Sequence, residues 1–197
     1  PDSVFVEDTM VVYKSAALIS RPGAASRRPE IVEAQRTIEG LGYSIERIEP
    51  PGTLEGGDVL KVGNVIYVGR SARTNAQGVA QMRRFFEPLG ATVVEVPVSK
   101  VLHLKSAATA LPNGSVIGYP PALDDASVFA DFIAVPEPSG AHVVLIGGNR
   151  LLMAASAPRS AELFARLGYE PIIVDISEYE KLEGCVTCLS VRLRPAT

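Results

Sequence analysis

The sequence predicts an α/β fold in which five similar units, each made of two strands, a helix and a third strand, surround a central axis. A repeat is the first observation: Glu7, Glu55 and His103 lie 48 residues apart in turn, and the chain between them repeats in register. Two amphipathic stretches follow the same period, and their apolar residues recur at spacings of three and four, which place them on one helical face. These residues are Ile31, Ala34, Ile38 and Leu41 in the first stretch, and Val79, Met82, Phe86 and Leu89 in the second.

Five unit starts are the third observation, and they lie near Glu7, Glu55, His103, His142 and Cys188. Residues 1–197 are expected to form a single domain, because a chain of this length with 47% hydrophobic residues can build one substantial core. Only nine residues follow Cys188, enough for one strand and no helix. Because the chain also begins without an initiator Met, we expect the N-terminal part of the ring to be absent from it.

In the first unit, β-rich runs within residues 4–20 predict two strands, and residues 43–48 predict the closing strand. The helix between them follows Pro29, with Ser26 as its expected N-cap and Gly42 as its C-terminal stop. The segment 4–6 already has the composition of a strand.

The second unit repeats this order with a strand at residues 65–68 and a closing strand at 92–96. Its helix is predicted over residues 75–89. Thr74 is the expected N-cap and Gly90 the C-terminal stop, each 48 residues from its counterpart in the first unit.

The third unit begins with a hairpin of residues 107–111 and 115–117 across Pro112-Asn113-Gly114. Its helix is reduced to a short turn near residues 124–129. The fourth unit is predicted from strands at 143–146, 151–154 and 171–174 and from a helix at 158–167 that closes at Leu167-Gly168.

Composition and charge exclude several classes of function. The net charge is −3 and Lys and Arg are scattered, which gives no basic surface for nucleic acid or anionic lipid. No run of 18 apolar residues occurs in the sequence, so no membrane span is predicted. The expected partner is a small molecule. Two cysteines without a signal peptide indicate reduced thiols in a cytoplasmic protein.

In a ring, residues at equivalent positions of the units converge, so chemistry is expected at the unit starts. Cys188 suits a nucleophile, since a thiolate near a histidine can attack an electron-poor carbon. Taken alone, a cysteine in the apolar run 186–191 is more often a small buried hydrophobe. Cys185 makes a C-x-x-C with it, but the β-rich run that follows does not suit the turn of a redox motif. The cysteines could also join His103 and His142 in a zinc set, although the spacings are wide.

The repeat distinguishes the two histidines, either of which could otherwise be an ordinary packed or surface residue. His103 lies a whole number of periods from two carboxylates, whereas His142 precedes a Val-rich strand and is interpreted as structural. Glu55 precedes Gly56 and Gly57, which let the backbone approach closely and aim the carboxylate. The same motif is about as typical of a simple turn.

Asp2, Glu7 and Asp8 form an acidic cluster in an otherwise apolar segment, where a solvated strand edge is the ordinary explanation. Glu7 and Asp8 are adjacent, so a bend is needed for both side chains to face the axis. Arg27 and Arg73 each lie just ahead of a predicted helix. They suit a carboxylate ligand through bidentate pairing, with surface charge as the alternative.

Six motifs in order along nearly the whole chain resemble the dimethylarginine dimethylaminohydrolases, a family of the guanidine-modifying superfamily. The resemblance implies a five-unit ββαβ propeller, the pentein fold. The motifs are Asp2-Ser-Val-Phe-Val-Glu-Asp8, Arg21-Pro-Gly-Ala-Ala-Ser-Arg-Arg28, Leu54-Glu-Gly-Gly-Asp58, Ser71-Ala-Arg-Thr-Asn75, Leu102-His-Leu-Lys-Ser106 and Thr187-Cys-Leu-Ser190.

The resemblance also implies roles for single residues. Cys188 matches the nucleophile, His103 the general acid and base, and Glu55 the carboxylate that orients the histidine. Asp2, Glu7 and Asp8 match acidic substrate-binding positions, with Asp8 on the guanidinium. Arg27 and Arg73 match the arginines that hold the amino-acid carboxylate, and Leu182 lies where a backbone carbonyl meets the substrate amine.

The activity implied is hydrolysis of Nω-methylated L-arginine to L-citrulline and an alkylamine, without metal or cofactor. Lys105 favours this branch, because arginine deiminases of the superfamily typically carry Asp two residues after the histidine. His142 departs from the Asn that relatives often have there. The alternatives are an arginine deiminase, or a non-catalytic binder of cationic amino acids or zinc, and a homodimer is left open.

Overall fold

The computed structural model describes residues 2–193, and within them four three-stranded sheets share one design. In each sheet the first two strands form an antiparallel hairpin, and the third strand pairs in parallel with the second. A parallel neighbour requires a crossover connection, which explains why a helix or turn precedes each third strand. The predicted ββαβ order is therefore confirmed in the first, second and fourth units, and in the third unit turns take the place of the helix.

The strands of the first two units are β1 (Met10–Tyr13), β2 (Ala16–Ile19), β3 (Ser44–Arg47), β4 (Val59–Val62), β5 (Val65–Arg70) and β6 (Thr92–Pro97). Those of the third and fourth units are β7 (Ala108–Ala110), β8 (Val116–Gly118), β9 (Phe132–Ala134), β10 (Val144–Leu145), β11 (Arg150–Ala154) and β12 (Glu170–Val174). The α-helices are α1 (Ile31–Gly40), α2 (Ala76–Phe86), α3 (Pro158–Arg166) and α4 (Ser177–Glu180). In the third unit the crossover contains the 3-10 turn Pro120–Ala122 and a further turn, as the degenerate pattern predicted.

A short 3-10 turn stands at each of the five predicted unit starts, and we call these the start turns. The first contacts both the second and the fifth, and the second contacts the third. The third and fourth are joined by His142, whose Nε2–H donates to the carbonyl oxygen of Ser106 at 2.8 Å. The start turns therefore lie next to one another although they are far apart in sequence. They are Val6–Thr9, Gly56–Asp58, Leu104–Ser106, Pro138–Ala141 and Thr187–Leu189.

The expectation of a strand at residues 4–6 is wrong, because the 3-10 turns Asp2–Val4 and Val6–Thr9 occupy this segment. The Nη2 group of Arg27 donates to the carbonyl oxygens of Asp2 and Phe5, at 3.2 and 3.1 Å, which fixes the segment in a bent course. The bend buries both Glu7 and Asp8, which a regular strand would have pointed to opposite faces.

The expected helix N-caps are also wrong, whereas the glycine stops are confirmed. Asn75 caps α2 by accepting from the backbone N–H of Gly78 at 2.9 Å, and Ser26 lies inside the 3-10 turn Ala25–Glu30 that precedes α1. Thr74 instead accepts a hydrogen bond from the backbone N–H of Glu55. The glycines after the three longer helices have positive φ values that suit glycine, at Gly42, Gly90 and Gly168.

Neighbouring units pack their apolar faces against each other. The largest cluster joins β1 and β2 to the face of α2, where Val79, Met82 and Phe86 are fully buried as the repeat predicted. In α1, by contrast, only Ile38 of the predicted face is fully buried, and Leu41 is 56% exposed because it lies beyond the end of the helix. Further clusters join the second unit to the third and the third to the fourth.

Within residues 2–193, no helix has the length and apolar character needed to cross a membrane. Residues 190–193, after the fifth start turn, form no strand. The remainder of the strand expected after Cys188 lies outside the described residues.

Candidate active site

The centre of the site is a buried contact between His103 and Glu55, which stand at the beginning of the third and second start turns. The Nε2–H of His103 donates to Oε2 of Glu55 at 2.7 Å, and Glu55 is 0% exposed. Arg73 approaches the other carboxylate oxygen at 3.5 Å, and the backbone N–H of Ala24 donates to that oxygen at 3.3 Å. The carboxylate is thus held from three sides, and the predicted contact between the two residues is confirmed.

Two glycines permit this close packing. A Cβ on Gly57 would lie 2.7 Å from the His103 ring, and a Cβ on Gly56 would overlap the carbonyl oxygen of Glu7. Any side chain larger than hydrogen would therefore separate the first, second and third start turns. The motif around Glu55 is a close-approach site as well as a turn.

Asp8 lies beside this pair and is held by donors from two other segments. Its Oδ1 accepts the backbone N–H of Gly57 at 2.8 Å and lies 3.9 Å from Nε2 of His103. Its Oδ2 forms an ion pair with Nη1 of Arg27 at 2.6 Å, and both side chains are buried. The structure thus brings Asp8, Glu55 and His103 into one cluster.

In this structure the guanidinium of Arg27 donates to protein acceptors, and its expected role in binding a substrate carboxylate stays a prediction. Besides Asp8, its guanidinium contacts Glu30 at 2.9 Å and the carbonyl oxygens of Asp2 and Phe5. These bonds raise the pKa of Arg27 although burial opposes them. In this conformation Arg27 holds the first start turn in place, because its donors are directed at protein acceptors.

Burial by itself would lower the pKa of His103, but its partners reverse that effect. The hydrogen bond to Glu55 and the charges of Asp8 and Asp58 raise the pKa to about 9. An imidazole in this setting is protonated at neutral pH. It can therefore donate a proton to a departing group.

Glu7, adjacent to Asp8, pairs with Lys105 of the third start turn at 2.5 Å. Burial raises the pKa of Glu7 to about 7, even though the charge and hydrogen bond of Lys105 act to lower it. Its Oε2 is buried and has no hydrogen-bond partner within residues 2–193. This half of the carboxylate is suited to accept from a cationic ligand.

Cys188 lies in the fifth start turn, which packs against the turn that carries Glu7 and Asp8. It is half-buried, and its Sγ lies 3.0 Å from Sγ of Cys185, which is 4% exposed. This hydrogen bond lowers the pKa of Cys185 and raises that of Cys188, because the pair holds one proton between two sulfurs. The backbone N–H of Cys188 bonds to the carbonyl of Cys185 at 3.1 Å, and the 3-10 turn Thr187–Leu189 formed there is followed by no helix within residues 190–193.

The remaining predicted residues surround this cluster at different depths. Arg73 is partly exposed beside Glu55, while Asp2 is exposed at the first 3-10 turn. Leu182 is 52% exposed in the turn after α4. His142 is bonded to the third start turn and is close enough to affect the charge of Cys185, so it belongs to the ring but not to the Glu55–His103 pair.

Asp58 is a buried residue that sequence reasoning used only as part of a turn. It accepts from the Ser71 hydroxyl at 2.6 Å and from the backbone N–H of Leu104 at 3.0 Å, so it joins the second unit to the third start turn. Burial raises the pKa of Asp58, opposed first by the charge of His103. The sequence offers one signal for this role, since Asp58 and Ser71 both lie in motifs that carry the family resemblance.

Asp8, Glu55 and His103 each offer a potential metal ligand, and their ligand atoms lie within 4.8 Å of one another. Hydrogen bonds and ion pairs already account for the arrangement of these three side chains. Within residues 2–193, the two cysteines and two histidines do not form such a group.

Known proteins share this sequence and fold. The chain is 66% identical over 194 residues to the N(G),N(G)-dimethylarginine dimethylaminohydrolase of Streptomyces coelicolor, which covers 98% of this chain and 75% of that protein. It is 42% identical over 196 residues to the protein of the same name from Pseudomonas aeruginosa, covering 98% and 77%.

A solved structure of the dimethylarginine dimethylaminohydrolase from Pseudomonas aeruginosa, a cysteine-to-serine mutant complexed with citrulline, superposes with a TM-score of 0.90. It is 40% identical and covers 98% of this chain and 77% of that one. No family model matches the chain. By its identity to these relatives over almost its whole length, the chain belongs to the dimethylarginine dimethylaminohydrolase family.

Proposed function

We propose that this protein hydrolyses Nω-methylated L-arginine to L-citrulline and an alkylamine, with Cys188 as the nucleophile. The observation that carries the proposal is the buried contact between His103 and Glu55 beside Asp8, in a member of this family. Where the start turns meet, His103 supplies a protonated acid and Asp8 supplies a carboxylate for a cationic substrate. The fifth of these turns carries Cys188.

The first chemical step is attack of the Cys188 thiolate on the guanidinium carbon. A guanidinium bound beside Glu7 and Asp8 brings a positive charge to the thiol pair, which favours the thiolate form. As the C–N bond breaks, His103 gives its proton to the leaving amine. The product of this step is a covalent thiouronium on Cys188 and a neutral histidine.

The second step regenerates the enzyme. The neutral His103 takes a proton from water, and the resulting hydroxide attacks the thiouronium carbon. The C–S bond breaks, the sulfur returns to the thiolate, and the protonated urea group loses its proton to water as citrulline leaves. Glu55 keeps the imidazole oriented and stabilises its charged form throughout, because its own position is fixed by Arg73 and by the backbone.

Substrate binding follows from the charges that line the cluster. Asp8 and Oε2 of Glu7, which has no hydrogen-bond partner within residues 2–193, are suited to accept from the guanidinium, and Asp2 lies exposed in the preceding 3-10 turn. Arg73, partly exposed, is suited to the substrate carboxylate, and the carbonyl of the exposed Leu182 to its amine. Arg27 would take part only if it exchanged one of its protein acceptors for the ligand.

The test is a comparison of L-arginine, Nω-monomethyl-L-arginine and asymmetric Nω,Nω-dimethyl-L-arginine as substrates. We expect citrulline and an equal amount of methylamine or dimethylamine from the methylated forms, and little ammonia from arginine. The Cys188→Ser protein is the matched control. Preferential release of ammonia from arginine would identify a deiminase, and binding without citrulline would identify a non-catalytic protein.

The single domain, the cytoplasmic location and the homodimer stay predictions. Light scattering on the purified chain tests the homodimer, and limited proteolysis tests the single domain.

A further inference from the structure

We propose that Cys185 and Cys188 form a reversible disulfide when the protein meets a low-molecular-weight disulfide, and that this closes the site by consuming the Cys188 thiol. The chemistry of disulfide formation stands on geometry alone. Its consequence for turnover rests on the proposed function.

The two sulfur atoms are already close to bonding distance. The two sulfurs lie 3.0 Å apart, and a disulfide bond is about 2.05 Å long, so closure requires roughly 1 Å of movement. The backbone already provides the turn, since the N–H of Cys188 bonds to the carbonyl of Cys185 and Cys188 lies within the start turn Thr187–Leu189.

The two thiols differ in their access to solvent, and this difference decides which one reacts first. Cys188 is half-buried and can meet a small oxidant, while Cys185 is buried beneath it. The hydrogen bond with Cys185 raises the pKa of Cys188, but Cys188 is the thiol that an oxidant can reach. Attack on the oxidant by its thiolate gives a mixed disulfide on Cys188 and releases one thiol. Cys185 is then the other thiol of the chain, since the sequence contains two cysteines.

The resolving step balances without any further reagent. The Cys185 thiolate attacks the Sγ of Cys188, the bond to the small thiol breaks, and the second small thiol leaves with the electron pair. Two protein thiols are oxidised and one small disulfide is reduced to two thiols. In the mixed disulfide the Cys188 hydrogen bond is lost, while the Thr187 hydroxyl at 3.1 Å and the charge of His142 still act to lower the pKa of Cys185.

The number of free thiols can be counted directly, because the chain contains two cysteines. The folded protein is incubated with excess oxidised glutathione, then quenched with acid and examined by intact mass and by thiol titration under denaturing conditions. We expect loss of both thiols, a mass lower by two hydrogens, and no retained glutathione. The monomer position on a non-reducing gel separates an internal disulfide from a bond between chains.

Cys185→Ser is the matched variant, because it keeps Cys188 and removes only the resolving sulfur. It should retain one glutathione on Cys188 instead of forming a disulfide. The Cys185→Ala variant is used instead if the Cys185→Ser protein does not fold. Wild-type protein that keeps glutathione on Cys188, keeps both thiols, or loses them only as a disulfide-linked dimer would overturn the proposal.

Turnover of dimethylarginine is measured on the same samples, each against its own untreated rate. The wild-type rate should fall in step with disulfide formation and return on addition of a dithiol reductant. A protein that forms the disulfide but has no turnover before treatment would contradict the proposed function and leave the chemistry standing. One that forms it and keeps its turnover would overturn the proposed closure of the site.

Discussion

Nε2 of His103 lies 2.7 Å from Oε2 of Glu55, although 48 residues separate them, because the two residues begin neighbouring start turns. Both side chains are buried; burial lowers the pKa of the histidine, and the hydrogen bond to Glu55 is the largest of the contributions that raise it. The first predictions concern this pair.

Replacing His103 with Ala should lower turnover of dimethylarginine by roughly 10² to 10⁴, the range for loss of a general acid. Glu55→Gln should lower it by less, because the histidine remains. His142→Asn is the control, since an amide can still donate to the Ser106 carbonyl. Initial rates of citrulline formation measure all three. A His142 variant as slow as the His103 variant would refute the choice of histidine.

The pKa of His103 also predicts how stability changes with pH. The folded state raises it from 6.5 to about 9, so the stabilisation gained from the charged form is fully present below pH 6.5. It should disappear as the pH rises through about 9. The measurement is the urea unfolding free energy of wild type minus that of His103→Gln, at pH 6 and at pH 10. A difference that grows with pH would contradict the assignment.

The buried ion pair between Asp8 and Arg27 should be costly to break. Arg27→Met leaves the Asp8 carboxylate without its cation and should lower the free energy of unfolding by roughly 3 to 5 kcal/mol. Arg36→Met is the control: Arg36 and Glu33 form an ion pair at the surface, and its loss should cost about 1 kcal/mol or less. Equal losses of unfolding free energy in the two variants would show that Arg27 does not hold the first start turn in place.

Gly57→Ala should separate His103 from its partners, because the added methyl group would lie 2.7 Å from the ring. We expect turnover to fall at least tenfold. Gly40→Ala is the matched control, since a Cβ there meets nothing within 4 Å and neither glycine has a positive φ. Within α1 this second change should stabilise by about 0.5 to 1 kcal/mol. Unchanged kinetics for Gly57→Ala would contradict the close-approach role.

The period of 48 residues predicted the unit order, the α2 face and the meeting of Glu55 with His103. These features follow from hydrophobic spacing and from equivalent positions in a ring, both of which a single sequence carries. The start turns themselves were recognised only as unit beginnings. A 3-10 turn of three or four residues has no periodicity, so residues 4–6 resembled a strand.

Other features could not be predicted because they depend on tertiary contacts. Thr74 has the chemistry of an N-cap, but its hydroxyl accepts from the backbone N–H of Glu55. The sequence does not show that Asp8 and Glu30 accept hydrogen bonds from Arg27. Nor does the C-x-x-C spacing show that a backbone turn brings the two sulfurs together.

The identity of the nucleophile is the central claim, and a trapped intermediate tests it most directly. Wild type, Cys185→Ser and Cys188→Ser proteins are each mixed with dimethylarginine, quenched in acid during turnover and digested for peptide mass mapping. We predict a substrate-derived adduct on Cys188 in the first two proteins, no adduct and no turnover in the third, and most of the wild-type rate in Cys185→Ser. An adduct on Cys185, or citrulline formation by Cys188→Ser, would contradict the account.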